Sequence, residues 1–224
     1  MSFLKAEWRK LALANYSIDP KILEKYVPYG TQLDEWNGNY YVSLVGFMFL
    51  NTKVLGIKVP FHVNFEEVNL RFYVKRFEDG VWKRGVVFIK EIVPKKAIPL
   101  IANSLYKENY QALPMSHQWE ETNNQLKVSY RWKTASQENL FQVTTGLEAE
   151  NIPIDSEEEF ITEHYWGYAK VNENKTNEYE VTHPKWEGYP VTDYKIKVDF
   201  GENYGEDFEF LNRLQPTSVM LAEG

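Results

Sequence analysis

The chain has 224 residues, 43% of them hydrophobic and 16% aromatic. That is enough to bury a full core, and an all-β fold of this length commonly forms one domain, here residues 1–224. A formal net charge of −7 argues against the clustered basic face that nucleic acid requires, and the lack of cysteine excludes disulfides, thiolate metal sites and cysteine nucleophiles. Lys5, Glu7, Arg9 and Lys10 interrupt the N-terminus and no apolar run approaches the ~20 residues of a bilayer span, so a cytoplasmic protein without a membrane partner is expected.

The supply of Tyr, Phe and Trp favours pleated sheet. Asp19 is a candidate N-cap, Pro20 stands at the first helical position, and Ile22, Leu23, Tyr26 and Val27 follow at helical spacing before Pro28 and Gly30, which predicts one short helix. Residues 33–50 hold two β-prone runs joined across Asn37-Gly38, the dipeptide of a type I′ turn, which predicts a β-hairpin. Over residues 65–74, Glu67, Asn69, Arg71 and Tyr73 alternate with Val68, Leu70, Phe72 and Val74, the pattern of a strand with one polar and one apolar face. Glu78-Asp79-Gly80 then turns the chain into an apolar strand over residues 85–93 that stops at Pro94, an antiparallel neighbour.

From Lys95 to Asn109 the spacing of Ala97, Leu100, Ile101, Ser104 and Leu105 predicts the main helix, with Pro99 in its first turn. Strand-like runs follow at 126–133, 140–147, 162–170, 178–182 and 194–198. Residues 156–159 read as a solvated loop or helix start, 171–177 as a polar turn and 202–214 as a loop or short helix. No repeat or low-complexity linker marks a boundary.

Several blocks, in order along the chain, carry a family resemblance. They include Trp8 to Tyr16, Asp19-Pro20, Val27-Pro-Tyr-Gly30, Phe65-x-Glu67-Val-Asn-x-Arg-x-Tyr-Val74 and Glu91-Ile-Val-Pro94. Tyr106 to Tyr110 and Pro114-Met115 follow, then Glu163-His-Tyr-Trp-Gly-Tyr168, Val181-x-His183-Pro-x-Trp186 and Ser218-Val-Met-Leu-Ala-Glu-Gly224. Together they resemble the YqjF-like family of uncharacterised bacterial proteins (DUF2071), related in fold to acetoacetate decarboxylase. The resemblance implies an α+β, mostly β fold: a curved antiparallel sheet closing toward a β-barrel around a central cavity, with few helices. It does not imply the reaction, because one fold hosts many sites.

Acetoacetate decarboxylase works through a lysine Schiff base, and Pro94-Lys95-Lys96 resembles the Pro-Lys-Lys around its reactive lysine. Two ammonium groups about 6 Å apart at an effective dielectric of ~20 repel by roughly 3 kcal/mol, enough to lower one pKa by about two units. Lys95 and Lys96 are therefore candidate catalytic residues, the bland alternative being solvated charges at a helix start. The row Glu67, Asn69, Arg71 and Tyr73 is a candidate ligand-binding face, since Arg grips carboxylates bidentately and Glu can act as acid or base, the alternatives being a Glu/Arg pair that satisfies itself on a partly buried face or a row that faces solvent. His164 and His183 lack metal-ligand spacing and read as hydrogen-bonded structural histidines, His117 reads similarly, and His62 reads as a lone loop or strand-edge residue. No nucleotide-binding or hydrolase motif occurs, so neither a metal nor an organic cofactor is indicated.

The sequence thus points to a small-molecule pocket for a carboxylate-bearing ligand of unknown identity, with Schiff-base chemistry on a keto acid as the sharper version. A non-catalytic ligand-binding or interaction module is the alternative. Homo-oligomer formation is left open.

Overall fold

The computed structural model describes residues 4–95, 109–122 and 124–224. Its strands in chain order are β1 (Leu4–Ile18), β2 (Gln32–Leu33), β3 (Tyr40–Val54), β4 (Phe65–Glu78), β5 (Val81–Val93), β6 (Tyr110–Ala112), β7 (Met115–Thr122) and β8 (Gln125–Lys133). They continue with β9 (Glu138–Thr145), β10 (Glu150–Asn151), β11 (Trp166–Asn172), β12 (Lys175–Glu180), β13 (Glu187–Tyr189), β14 (Val191–Lys197) and β15 (Ser218–Ala222). Among the described residues the α-helices are short: α1 (Glu157–Thr162) between β10 and β11, and α2 (Phe200–Tyr204) after β14.

The long strands β1, β3, β4 and β5 form the centre of an eleven-stranded sheet running β10-β13-β15-β1-β3-β4-β5-β11-β12, with β2 on β4 and β6 on β5. A separate four-stranded sheet runs β14-β9-β8-β7. The architecture is mostly β, as the resemblance implied, but neither sheet closes. The expected barrel is corrected to two open sheets laid face to face, with β10 and β12 ending the large one and no ladder joining it to the small one among the described residues. Pairing is antiparallel except where β11 and β6 each run parallel to β5.

Alternation along the central strands sets what lies on each side. Ala12, Ala14, Val42, Leu44, Val68, Leu70, Phe72 and Val74 face the small sheet and pack against Val128, Tyr130, Trp132, Phe141 and Val143. The approach is tight at Gly46, where a Cβ would lie 2.7 Å from Tyr130 Cδ2. The opposite side of the same strands carries Leu11, Leu13, Val45, Phe47 and Tyr73, covered by Phe160 and Ile161 of α1 and by Trp186. Both faces of β4 are therefore buried, including the face that the sequence makes polar.

Local expectations were met unevenly. Asp19 caps as expected, accepting from the Lys21 amide at 3.0 Å, but the helix is two 3₁₀ turns, Pro20–Ile22 and Glu24–Tyr26. Asn37 and Gly38, at φ 48° and 81°, make the type I′ turn closed by reciprocal Trp36–Asn39 bonds of 2.9 Å. The preceding strand β2 then pairs with β4 rather than β3, so the expected hairpin is only a turn. Residues 162–165 belong to the end of α1 and its exit rather than to a strand, which begins at Trp166. Ser156 caps α1 through the Glu159 amide at 3.1 Å, and residues 202–214 become α2's end and a 3₁₀ helix, Glu206–Arg213. The helix expected from Lys95 to Asn109 lies outside the described residues apart from its two ends, which are not helical.

Candidate functional site

β4 delivers Glu67, Asn69, Arg71 and Tyr73 to one face, and all are buried, Arg71 being 9% exposed and the others 2% or less. β5 adds Glu91 directly across from Asn69. Asn69 Nδ2 donates to Glu67 Oε1 at 2.9 Å, while Asn69 Oδ1 finds no hydrogen-bond partner. Arg71 donates from Nη2 to the Ile161 carbonyl at 3.3 Å, its Nε is unpartnered, and no carboxylate of the described residues stands within ion-pair distance of it. Burying an ion without a counter-charge costs several kcal/mol.

Tyr73 is differently engaged. Ser43 gives its hydroxyl hydrogen to Asn15 Oδ1 at 2.6 Å, so the 2.7 Å contact between Tyr73 and Ser43 must be donated by the phenol. Asn15 Nδ2 in turn donates to Ser218 at 3.0 Å, and Ser218 donates to Glu157 of α1. This polar row crosses β4, β3, β1 and β15 on one face and ties Tyr73 into the sheet. Its ring lies 5.6 Å from the Arg71 guanidinium carbon and 4.7 Å from the His164 ring.

His164 was expected to be a hydrogen-bonded structural histidine. It is buried against Tyr73 and Phe160, but neither ring nitrogen makes a hydrogen bond, and Nε2 stands 3.8 Å from Asp34 Oδ2. Burial pushes its pKa down to about 4; Asp34 opposes the fall, and Arg84 and Arg71 reinforce it. Its imidazole is neutral at pH 7. Asp34 is 4% exposed and binds Arg84 Nε at 2.6 Å and Lys75 Nζ at 2.9 Å. Burial works against ionisation of Asp34, yet the His164, Arg84 and Lys75 contacts hold its carboxyl well below the ordinary range.

The lysine candidates are not gathered into this row by the described residues. Lys95 is half-buried beyond the end of β5, within electrostatic reach of Glu66, which leaves β4 on the face opposite Glu67. Burial opposes ionisation of Glu66, but a 2.7 Å bond to His117, with the charges of His117 and Lys95, keeps its pKa lowered. Lys96 lies outside the described residues. Sequence reasoning did not single out Glu91 or His164 as site residues although both sit inside family blocks, and it missed Asp34 and Arg84, which carry no local signal. On β5, Lys90 has a pKa lowered by half-burial alone and stands across from Leu70.

Comparison with known proteins places this geometry in context. The model of DUF2071, an uncharacterised conserved protein family, matches residues 5–224. The chain belongs to that family. It is similar to the uncharacterised protein YqjF of Bacillus subtilis (strain 168), 33% identical over 72 residues that cover 32% of this chain and 30% of that relative. Acetoacetate decarboxylase from Legionella pneumophila shares the fold at a TM-score of 0.61 and 12% identity, covering 100% of this chain and 85% of that one. The enduracididine biosynthesis enzyme MppR, complexed with pyruvate, aligns at 0.62 and 12% identity over 97% of this chain and 87% of its own. These likenesses establish the fold. No helix of the described residues is long and apolar enough to cross a membrane.

Proposed function

We propose that the DUF2071 chain binds a small molecule through its carboxylate, gripped by Arg71 on the buried face of β4. The observation that carries this reading is the Arg71 guanidinium, buried and without a carboxylate partner among the described residues. A ligand carboxylate supplies the missing charge and occupies the bidentate fork of the guanidinium. Asn69 Oδ1, unpartnered beside it, is an acceptor for a ligand hydroxyl or amide, and Glu67 and Glu91 stand on the same face as acid or base. The fold neighbours, an acetoacetate decarboxylase and an enzyme complexed with pyruvate, support a short keto acid as the first ligand to try.

The test is calorimetric titration with pyruvate and acetoacetate of the native protein and of Arg71→Met. Methionine removes a buried unpaired charge at similar length, so the variant is expected to fold with unchanged or raised stability. Its affinity is expected to fall at least tenfold, the loss of a buried charge-assisted pair. Equal binding by both proteins, or no binding of any carboxylate by the native one, overturns the reading. A second reading makes the protein an enzyme, with Lys95 or Lys96 forming an iminium with the keto acid; Pro94-Lys95-Lys96 follows directly on β5, which carries Glu91. Borohydride reduction separates the two, fixing a covalent adduct to a lysine peptide only in the second.

A further inference from the structure

We propose that the finger between β3 and β4 is a membrane-surface contact that seats the protein on anionic lipid. The finger is a closed structure, held by the 2.9 Å bond from Thr52 N to Val63 O and by reciprocal 2.9 Å bonds between Val54 and Ile57 around the Leu55-Gly56 turn. It nonetheless presents its apolar side chains to solvent: Leu55 is 58% exposed, Ile57 68% and Phe61 87%. Exposed apolar residues scattered singly need no explanation, but with Val59 at 40% these are four within the seven residues 55–61 of one connection.

Charge identifies the partner. Between Asn51 and Asn64 the chain carries Lys53, Lys58 and His62 and no acidic residue, although the whole protein has a net charge of −7. At the finger's base Lys53 pairs across the ladder with Lys5, a like-charge juxtaposition in which neither amine reaches a carboxylate among the described residues. Glu7, nearby, is already bound to Asn51 and Arg9. Apolar side chains beside unneutralised lysines match an anionic bilayer surface, with the apolar tips in the acyl boundary and the ammonium groups at phosphates. A second copy of the chain fits less well, because a stable dimer needs about 800 Å² from 20–30 residues on each side, and this finger is flanked by polar Asn51 and Asn64. The expectation of no membrane partner rested on the lack of a spanning segment, whereas this contact is adsorption without crossing.

The full chain should sediment with vesicles of phosphatidylglycerol and phosphatidylcholine in equal parts, and not with phosphatidylcholine alone. Phe61→Asp should weaken that binding at least tenfold, and the pair Lys53→Glu with Lys58→Glu at least as much, with raised salt doing the same to the native protein. These side chains are exposed, so an unchanged melting midpoint serves as the folding control. The proposal is overturned if the protein stays in the supernatant with both vesicles or if Phe61→Asp binds as the native protein does. It is also overturned if light scattering shows a dimer, dissociated by Phe61→Asp, in a protein that ignores vesicles.

Discussion

His164 gives the sharpest quantitative expectation, because its burial fixes both the sign and the pH window of a stability change. The imidazole falls from an ordinary 6.5 to about 4 in the folded chain. Between those values the unfolded chain binds a proton that the folded one refuses, so stability drops as the pH is lowered through the window. At about 1.4 kcal/mol per pH unit, the loss relative to pH 7 is about 2 kcal/mol at pH 5 and about 3 kcal/mol at pH 4. Asp34 does not confuse the reading: its carboxyl is held below its ordinary value, so its stabilisation is complete above about pH 4 and fades only below that. The perturbation is His164→Phe, which places a ring among Tyr73 and Phe160 and removes two unpartnered buried nitrogens. Urea unfolding at pH 7, 6, 5 and 4 should show the variant within about 1 kcal/mol of the native protein at pH 7. The variant's acid loss should be smaller by about 3 kcal/mol. Parallel stability–pH curves for the two proteins would refute a buried, neutral His164.

Two further substitutions probe the supports of the site. Ser43→Ala should cost about 2–3 kcal/mol in urea unfolding, because it leaves the Tyr73 phenol and Asn15 Oδ1 buried without their shared partner; a loss under about 0.5 kcal/mol would mean that the row crossing β4, β3 and β1 is not held by these bonds. Gly85→Ala should destabilise by about 1–3 kcal/mol, since its Cβ would fall 2.5 Å from the Trp166 carbonyl oxygen and 2.6 Å from the Tyr168 ring; an unchanged midpoint would show that β11 can retreat from β5 at no cost.

What the sequence displayed was what repeats locally. Period-two alternation over residues 65–74 located β4 and sorted its two faces, because a strand's side chains alternate whatever covers them. Asn37-Gly38 revealed its turn because both residues had to reach positive φ. Pairing partners were not visible. β3 pairs with β4 only as far as Val42 and Phe72, so the next length of β4 is free for Gln32 and Leu33, and a hairpin that looked local became a long-range ladder. Nor did the pattern show that the polar face of β4 would be covered. Glu67 and Arg71 look the same in sequence whether they meet water or are covered, and only burial turns Arg71 from an ordinary surface cation into a charge that calls for a partner.

The remainder of the site depends on one parallel contact that no local pattern announces. Trp166 and Gly167 pair with Gly85 and Val86, and Tyr165 N bonds Arg84 O at 3.2 Å, so the chain leaving α1 is laid along β5. That placement carries His164 to the side of Asp34, while Arg84, on the facing strand, closes the ion pair with Asp34. Only a residue without a Cβ admits the Trp166 carbonyl so closely at position 85. The glycine inside β5 therefore does more than weaken β propensity: it sets where β11 docks and with it the electrostatic surroundings of the His164 imidazole. Asp34 and His164, far apart in sequence, became neighbours through this contact, and that is why neither could be assigned a role from its own segment.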